Sequence, residues 1–314
     1  MICLYNDKVG TIKSTVALIL AGGFAGDFST GSAPIFKACL PVNGRPVVEY
    51  VIRALEGSNV EKIFIAQEEG ANLQERFATN DKCIFFTKKN HPASIGLSML
   101  SAFEHVAGYY GNLELSQKMI LVVPCDTPLV TKENFNNLIE QAAAKNADVL
   151  ITIIAAQHLE ERFPHRPFRS VYLSDYMAKY TLQNVIFING DFIRFDPSAE
   201  PGKLKFSFRG WDEAVFKRVQ DGITSIDELR HQAHFHNKLF LAWLLTKGYS
   251  SYIFKLLFSV VFRRLTMARA MQLLSAADHM RAGYIESKEV EFSADIDRPE
   301  DFQMLLGIPW QAAG

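Results

Sequence analysis

Cysteine is scarce in this 314-residue sequence, and the few cysteines form no cluster. The four are Cys3, Cys39, Cys83 and Cys125, and no two of them form a Cys-x-x-Cys pair. This scatter argues against a zinc site and against a disulfide framework, and it fits a reducing compartment. The apolar stretch near the N-terminus is also far too short for the hydrophobic region of a signal peptide. We therefore expect a cytoplasmic protein.

An excess of charge of one sign is missing as well. Lysine and arginine total 33 against 34 acidic residues, which gives a formal net charge of −1. A surface that binds nucleic acid would need an excess of basic residues, so the composition gives no support for one. With 48% hydrophobic and 21% charged residues, the composition is ordinary for a folded globular protein. We expect small-molecule ligands and no nucleic acid.

Long uninterrupted hydrophobic runs are also absent. The most apolar stretch, residues 237–265, is broken by lysine, glycine and serine, so no window reaches the roughly 18 residues that a membrane-spanning helix needs. We interpret this stretch as part of a helical subdomain. Its aromatic-rich end, "SSYIFKLLFSVVFRRL", leaves open a membrane surface, a lipid-like acceptor, or the seam of a homodimer.

What the first half does contain is a regular alternation of strand and helix patterns. Short β-branched runs predict strands, and amphipathic stretches between them predict helices. The predicted strands are 15–21, 62–67, 82–88, 118–126 and 148–156, and the predicted helices are 45–58, 71–79, 94–107 and 131–146. Strands separated by helices predict an α/β fold with a doubly wound, mostly parallel sheet. Ligands bind at the carboxyl edge of such sheets.

The second half changes pattern. Two further strands, "RSVYLSD" and "NVIFINGDFIRF", precede a long helical stretch, and residues 289–308 return to a strand, an acid-rich turn and a closing helix. We therefore predict an N-terminal tail at 1–14 and an α/β domain formed by 15–210 together with 286–314. An inserted helical subdomain would occupy 211–285.

A glycine-containing loop follows the first predicted strand. The stretch "LAGG", Leu20 to Gly23, lets backbone amides approach an anion closely because glycine has no Cβ. Lys37, further along the same loop, adds a mobile positive charge. Two glycines after a strand are equally typical of a tight connection to a helix, so the loop alone leaves both interpretations open.

The continuation of this loop makes the phosphate interpretation more specific. The pattern "LAGG…KACLPVNGRPVVEYV" resembles the opening signature of nucleotidyltransferases of the molybdenum-cofactor guanylyltransferase-like kind, the NTP transferase family. The resemblance implies a nucleotide-diphospho-sugar transferase-like fold of the GT-A type. It also implies Mg²⁺-dependent transfer of a nucleoside monophosphate from an NTP, CTP or GTP, to a small phosphorylated acceptor, with release of pyrophosphate. Leu20, Ala21, Gly22, Gly23 and Lys37 would hold the nucleotide phosphates.

Two acidic segments resemble the family's metal-binding positions. In "LVVPCDTPLV", Asp126 follows a buried strand, where one hard carboxylate oxygen can hold Mg²⁺. In "SADIDRPEDF", the resemblance assigns Asp297 as the second ligand, with Asp295 beside it by the period of two of an extended segment. The alternatives are that Asp126 is a turn or helix-capping acid and that Asp297 only opens the final helix.

Weaker matches concern the nucleoside and the acceptor. By resemblance, Gly96 and Ser98 in "SIGLSML" would lie near the base and ribose, and Arg169 and Asn184 would bind the acceptor. The two residues before Asn184 are leucine and glutamine where relatives carry two glycines. This departure implies an acceptor pocket that is narrower, or that is used differently.

The main departure is Asp27, which stands where relatives carry an arginine that neutralises the phosphates. A like charge near a triphosphate costs on the order of 1 kcal/mol or more, and a lost transition-state cation can slow a reaction by orders of magnitude. Asp27 could point to solvent, or Arg45 or Arg53 could supply the charge. A non-catalytic nucleotide-binding protein is one alternative. A glycosyltransferase of similar fold is another, although the Asp-x-Asp metal motif is missing at "PCDTP".

Overall fold

The fold is organised around one mixed β-sheet. A computed structural model describes residues 13–25, 28, 35–77, 81–87, 95–168, 170–199, 205–209, 266–278 and 280–307. The strands, in chain order, are β1 Ser14–Ala21, β2 Pro41–Val42, β3 Arg45–Pro46, β4 Val60–Gln67, β5 Cys83–Thr87, β6 Lys118–Pro124, β7 Val149–Ala155, β8 Val171–Leu173, β9 Ala178–Asn189, β10 Ile193–Phe195, β11 Phe206–Phe208 and β12 Ala282–Glu286. The helices are α1 Val47–Glu56, α2 Leu73–Phe77, α3 Ile95–Leu115, α4 Lys132–Ala143, α5 Ala156–Arg162, α6 Met267–Asp278 and α7 Pro299–Leu306.

The main sheet runs in the order β12-β7-β9-β6-β1-β4-β5, with β8 beside β9. Strands β6, β1, β4 and β5 pair in parallel, and β12 pairs in parallel with β7. Strand β9 lies between β6 and β7 and is antiparallel to both. Because both neighbours oppose β9, β6 and β7 point the same way, and their carboxyl ends meet at one edge of the sheet.

Helices cover both faces of this sheet, as the strand and helix alternation predicts. Helix α1 carries apolar residues at positions 47, 48, 51, 52 and 55, which is the spacing of one buried helical stripe. It packs with α4 on one face, around Ile19, Leu121 and Phe135. Helix α3 covers the other face, where Phe103 lies against Leu18 and Ile120. The predicted α/β class with a doubly wound, mostly parallel sheet is confirmed.

The central pair β1 and β6 places the candidate site. Both strands are buried along most of their length, because the run of β-branched and leucine residues is covered on both faces. Their parallel register sets Leu20 opposite Pro124. The loop after Ala21 and the loop after Pro124 therefore leave the sheet side by side.

Strand β12 corrects the predicted domain boundary. The sequence pattern assigned all of 211–285 to a helical subdomain, but Ala282–Glu286 pairs with β7 in the main sheet. A Cβ on Gly283 would lie 2.8 Å from Leu150 Cδ2 and 3.2 Å from Ala147 Cβ, so a side chain there would force its neighbours on the β7 side to shift. A five-residue strand containing glycine carries little β signal of its own. Its place is set by a partner more than 130 residues away.

Other boundaries also differ from the prediction. Ser14, which the prediction placed in the tail, is the first residue of β1. The strand expected at the start of 289–308 is instead a 3-10 turn, Val290–Ser293. Residues 211–265, the greater part of the predicted helical subdomain, lie outside the described residues. Among the helices that the structure does describe, none is long and apolar enough to cross a membrane.

Candidate active site

Three aspartates from two distant segments meet at the carboxyl edge of the sheet. Asp126 lies two residues beyond β6, and its backbone oxygen accepts a hydrogen bond of 2.9 Å from the N–H of Ile296. That bond fixes the segment before α7 against the end of β6, with Asp295 and Asp297 on either side of it. One carboxylate oxygen from each aspartate lies within 4.8 Å of the other two. We call Asp126, Asp295 and Asp297 the carboxylate triad.

Lys37 inserts its ammonium group into this triad. Its Nζ forms ion pairs with Asp126 Oδ2 and with Asp297 Oδ1, the latter at 2.5 Å. Burial acts to lower the pKa of Lys37, but attraction to the two carboxylates outweighs it and holds the pKa above its usual value. Burial likewise acts to raise the pKa of Asp297, and the ammonium of Lys37 outweighs it, so this pKa is lowered. Both partners are therefore charged at neutral pH.

Arg166 is a second cation of the site and was not singled out from the sequence. Its Nη2 donates to Asp295 Oδ1 at 2.9 Å, its Nη1 donates to the backbone oxygen of Ser293 at 3.1 Å, and its guanidinium lies over the ring of Phe168. Its Nε also lies 3.4 Å from Asp301 Oδ1. Burial, reinforced by the charges of its triad neighbours, raises the pKa of Asp295 to about 6, and Arg166 opposes this increase.

Asp301 completes the support of the closing segment. Its Oδ2 accepts hydrogen bonds of 2.8 Å from the backbone N–H groups of Asp297 and Arg298. This arrangement satisfies backbone donors ahead of α7 that would otherwise lack partners. Asp301, the last residue of "PED" in the closing motif, therefore positions Asp297. Asp301 stands near the start of a predicted helix, where acidic residues often cap backbone N–H groups, and this pattern could have predicted its supporting role.

The triad fits a hard divalent cation. Asp126 Oδ1 is buried and has no hydrogen-bond partner among the residues that the structure describes. A buried carboxylate oxygen without a partner is costly unless a cation or donor satisfies it. Several carboxylate oxygens within a few ångström are the donor set that Mg²⁺ or Ca²⁺ prefers. The observed donors therefore suit the metal that the sequence predicts.

The glycine loop begins beside the triad. Gly23 has φ +96°, a left-handed conformation that favours glycine, and its N–H donates to Glu68 Oε1 at 3.3 Å. Its backbone oxygen accepts from the N–H of Lys37 at 3.0 Å, and the rings of Phe24 and Phe36 stack with centroids 5.0 Å apart. These contacts close the base of the loop and bring Lys37 back to the end of β1.

The charge reversal at Asp27 falls outside the described residues. The two arginines considered as replacements both lie against Glu49 on α1. Arg53 Nη2 is 2.6 Å and Arg45 Nη1 is 3.9 Å from Glu49 Oε1, and both arginine side chains are more than half exposed. The structure pairs neither with the triad.

The remaining predicted residues are more scattered. Gly96 and Ser98 lie in the first turn of α3, and Arg169 lies outside the described residues. Asn184 is exposed on β9, two residues from Leu182, which is 64% exposed. Gln183 between them is buried and donates to the backbone oxygen of Glu289 at 2.6 Å, so it joins β9 to the closing segment.

Comparisons with known proteins agree with this fold and sequence pattern. A family model described as "MobA-like NTP transferase domain" matches residues 17–244. The bifunctional protein GlmU of Listeria monocytogenes is 29% identical over 141 residues, covering 44% of this chain and 28% of that protein. GlmU of Lactobacillus helveticus is 30% identical over 129 residues, covering 41% and 26%. The chain thus spans little more than a quarter of the length of these curated relatives.

One solved structure extends the likeness over almost the whole chain. A hypothetical transferase from Thermus thermophilus superposes with a TM-score of 0.62 at 20% identity, covering 92% of this chain and 99% of that one. At this identity the likeness shows the fold. The family match covers well over half of the chain and confirms the predicted recognition and the assignment to a transferase class of enzyme. The chain belongs to the family of MobA-like NTP transferase domains.

Proposed function

We propose that this protein transfers a nucleoside monophosphate from an NTP to a small phosphorylated acceptor and releases pyrophosphate. The observation that carries the proposal is the carboxylate triad lying beside the glycine loop, with Lys37 joining the two. An oxygen of the acceptor phosphate would attack the α-phosphorus and form a new P–O bond. The bond from that phosphorus to the bridging β-phosphate oxygen would break, and the electron pair would leave on pyrophosphate. The acceptor phosphate is already anionic, so no general base is required.

The residues of the site would contribute binding and charge stabilisation. Backbone amides of Gly22 and Gly23 and the ammonium of Lys37 would hold the phosphate chain. The triad would hold Mg²⁺, which when bound neutralises phosphate charge and orients the reacting groups. By the family pattern, Gly96 and Ser98 would contact the nucleoside, and Arg169 and Asn184 the acceptor. CTP or GTP remains the expected donor, and the protein is expected to act in the cytoplasm.

The proposal also covers the type of acceptor and the formation of a homodimer. Residues 211–265 carry the aromatic-rich stretch and would form the acceptor platform or the seam of a homodimer. A lipid-like acceptor would account for the large apolar content of that stretch. The panel of acceptors should therefore include lipid-precursor phosphates beside sugar and polyol phosphates.

The test is pyrophosphate release from each NTP with Mg²⁺ and that panel of acceptors. We expect one donor and acceptor pair to yield equal amounts of pyrophosphate and of a product whose mass equals acceptor plus nucleoside monophosphate. Asp126→Asn should abolish the reaction, while Glu300→Gln, an exposed acid on α7, should leave it unchanged. Nucleotide binding without turnover in every combination, and no gain from Asp27→Arg, would refute the transferase and favour a nucleotide-binding protein.

A further inference from the structure

Lys37 pairs with two of the three carboxylates that a metal ion in the triad would use. Its Nζ contacts Asp126 Oδ2 and Asp297 Oδ1, so it is bound by two of the three carboxylates that converge there. We propose that Lys37 and the divalent cation exchange places on the carboxylate triad, so that metal and triphosphate bind cooperatively. This inference rests on the proposed function and assigns Lys37 a second role besides phosphate binding.

The two cations compete for these carboxylates. A divalent ion bound at about 2.0–2.1 Å, as Mg²⁺ requires, and an ammonium within hydrogen-bond distance of the same carboxylates would repel each other strongly at such short separation. Charge balance favours the exchange. With Arg166 counted, the triad and Lys37 carry a net charge of −1, and replacing the ammonium by a divalent ion brings the group to neutrality.

Lys37 is the cation that can leave. Its side chain is 21% exposed, and the described structure holds its Nζ through carboxylates alone. A lysine side chain has a flexible four-carbon stem and a compact charge, so it reorients readily. Arg166 differs because its planar group is fixed at once by Asp295, the backbone of Ser293 and the ring of Phe168. Arg166 therefore stays while Lys37 moves.

The backbone position of Lys37 indicates where its charge would go. Its N–H is bonded to Gly23 O, so the residue starts at the base of the glycine loop. When a triphosphate lies on that loop, the departing ammonium exchanges carboxylate oxygens for phosphate oxygens. Without a triphosphate, its departure loses two charge-assisted contacts. Metal therefore binds weakly alone and tightly with a triphosphate, which is a coupling between the two sites.

The amide of Gly23 is paired in a similar way. It donates to Oε1 of Glu68, the residue after β4, so this carboxylate is the hydrogen-bond acceptor where a phosphate oxygen would be the acceptor in the nucleotide complex. Glu68 competes for the anion side of the site but does not belong to the triad. A change at Glu68 should therefore affect triphosphate binding without strengthening metal binding, which separates it from a change at Lys37.

The experiment measures Mn²⁺ binding to the nucleotide-free chain by calorimetry or by the spectrum of free Mn²⁺. Lys37→Met should bind Mn²⁺ at least tenfold more tightly than the natural chain, because the competing ammonium group is gone. Inorganic triphosphate should raise Mn²⁺ affinity in the natural chain by more than it does in Lys37→Met. Glu68→Gln should keep the natural Mn²⁺ affinity and bind triphosphate more tightly.

A matched control separates exchange from general electrostatics. Arg298 is exposed and adjacent to Asp297 in sequence, so Arg298→Met removes one positive charge nearby. It should change Mn²⁺ affinity less than twofold. An equal gain for both variants would overturn the exchange, and so would equal or weaker Mn²⁺ binding by Lys37→Met. If that variant does not fold, Lys37→Gln is measured in its place against the same criterion.

The outcome is distinguishable from failure of the proposed function. Tighter Mn²⁺ binding by Lys37→Met without turnover of any acceptor would support the exchange and refute the transferase. Turnover by the natural chain without the gain in Lys37→Met would refute the exchange alone. Absence of Mn²⁺ binding by both chains would overturn the exchange and the metal site of the proposed function together.

Discussion

Removing Arg166 should destabilise the protein and also weaken the proposed metal site. The guanidinium side chain is only 10% exposed, and it joins the loop after α5 to the segment that carries Asp295. Its hydrogen bonds reach Asp295 Oδ1 and the backbone oxygen of Ser293, and its Nε lies near Asp301. Arg166→Gln removes the charge and leaves the partly exposed carboxylate of Asp295 and the buried carboxylate of Asp301 with less compensating positive charge.

The magnitude follows from these contacts. Removing one partner of a buried ion pair costs about 3–5 kcal/mol, and we take about 3 kcal/mol because the Asp295 side chain is 20% exposed. The lost hydrogen bond to Ser293 adds about 1 kcal/mol. The free energy of unfolding should fall by about 4 kcal/mol, which a domain of ordinary stability, about 5–15 kcal/mol, survives. Arg166→Lys keeps the charge and loses the planar fork, so about half of this loss is expected.

The assay is urea unfolding without metal, followed by Mn²⁺ titration of the folded protein. Because the orientation of Asp295 depends on Arg166, Mn²⁺ affinity should fall about 10-fold or more, with partial recovery in Arg166→Lys. Arg162→Gln is the control, since Arg162 is exposed on α5 and lies over the ring of Phe163. A loss below 1 kcal/mol for Arg166→Gln, or unchanged Mn²⁺ affinity, would contradict this reasoning.

Three further predictions concern the metal, the sheet edge and one glycine. Mn²⁺ or Mg²⁺ should raise the melting temperature of the natural chain and leave that of Asp126→Asn unchanged, because ligands stabilise only the folded state that binds them; an equal increase in both would contradict the triad. Asp148 is buried, and although burial acts to raise its pKa, its contacts with Arg281 and Arg209 lower it. Its stabilising effect is therefore present above the unfolded pKa of 3.8 and is lost as the pH falls below that value. In urea unfolding, Asp148→Asn should therefore lower the free energy of unfolding by more at pH 7 than at pH 3. An equal decrease at both pH values would refute this prediction. Gly190→Ala should lower stability by about 3 kcal/mol or more, since a Cβ there would lie 1.9 Å from Leu115 O, and a cost below 1 kcal/mol in the same assay would contradict the close approach.

The elements of the first half were predictable because each carries its own local signal. The residues of β1 are buried on both faces, and α1 shows one apolar stripe, so neither depends on a remote partner for its identity. The order of the strands is a different matter. The place of β9 between β6 and β7, and of β12 beside β7, depends on pairings between segments far apart in the chain. Periodicity contains no information on such partners.

The residues of the site likewise divide into those that the sequence predicts and those that it does not. Asp126, Asp295 and Asp297 were predictable as candidates because they stand in short motifs, and the structure brings their carboxylates together. Arg166 was not, because its partner Asp295 is 129 positions away and nothing in the stretch "HRPFRS" tells one arginine from the other. The family resemblance assigns Arg169 to the acceptor, while the arginine three positions earlier, Arg166, contacts Asp295 of the triad.

Lys37 shows how a motif and a structure can describe different states of one residue. The family pattern places this lysine with the nucleotide phosphates, whereas the structure places its ammonium among the carboxylates that would hold the metal. The two placements are compatible because the backbone of Lys37 is anchored at the glycine loop, from which a flexible side chain can turn to either side. The motif indicates the contacts that the proposed reaction needs, and the structure shows the contacts with Asp126 and Asp297 that Lys37 would give up. In the proposed exchange, the binding of metal and triphosphate together would have to offset the free energy lost with these two contacts.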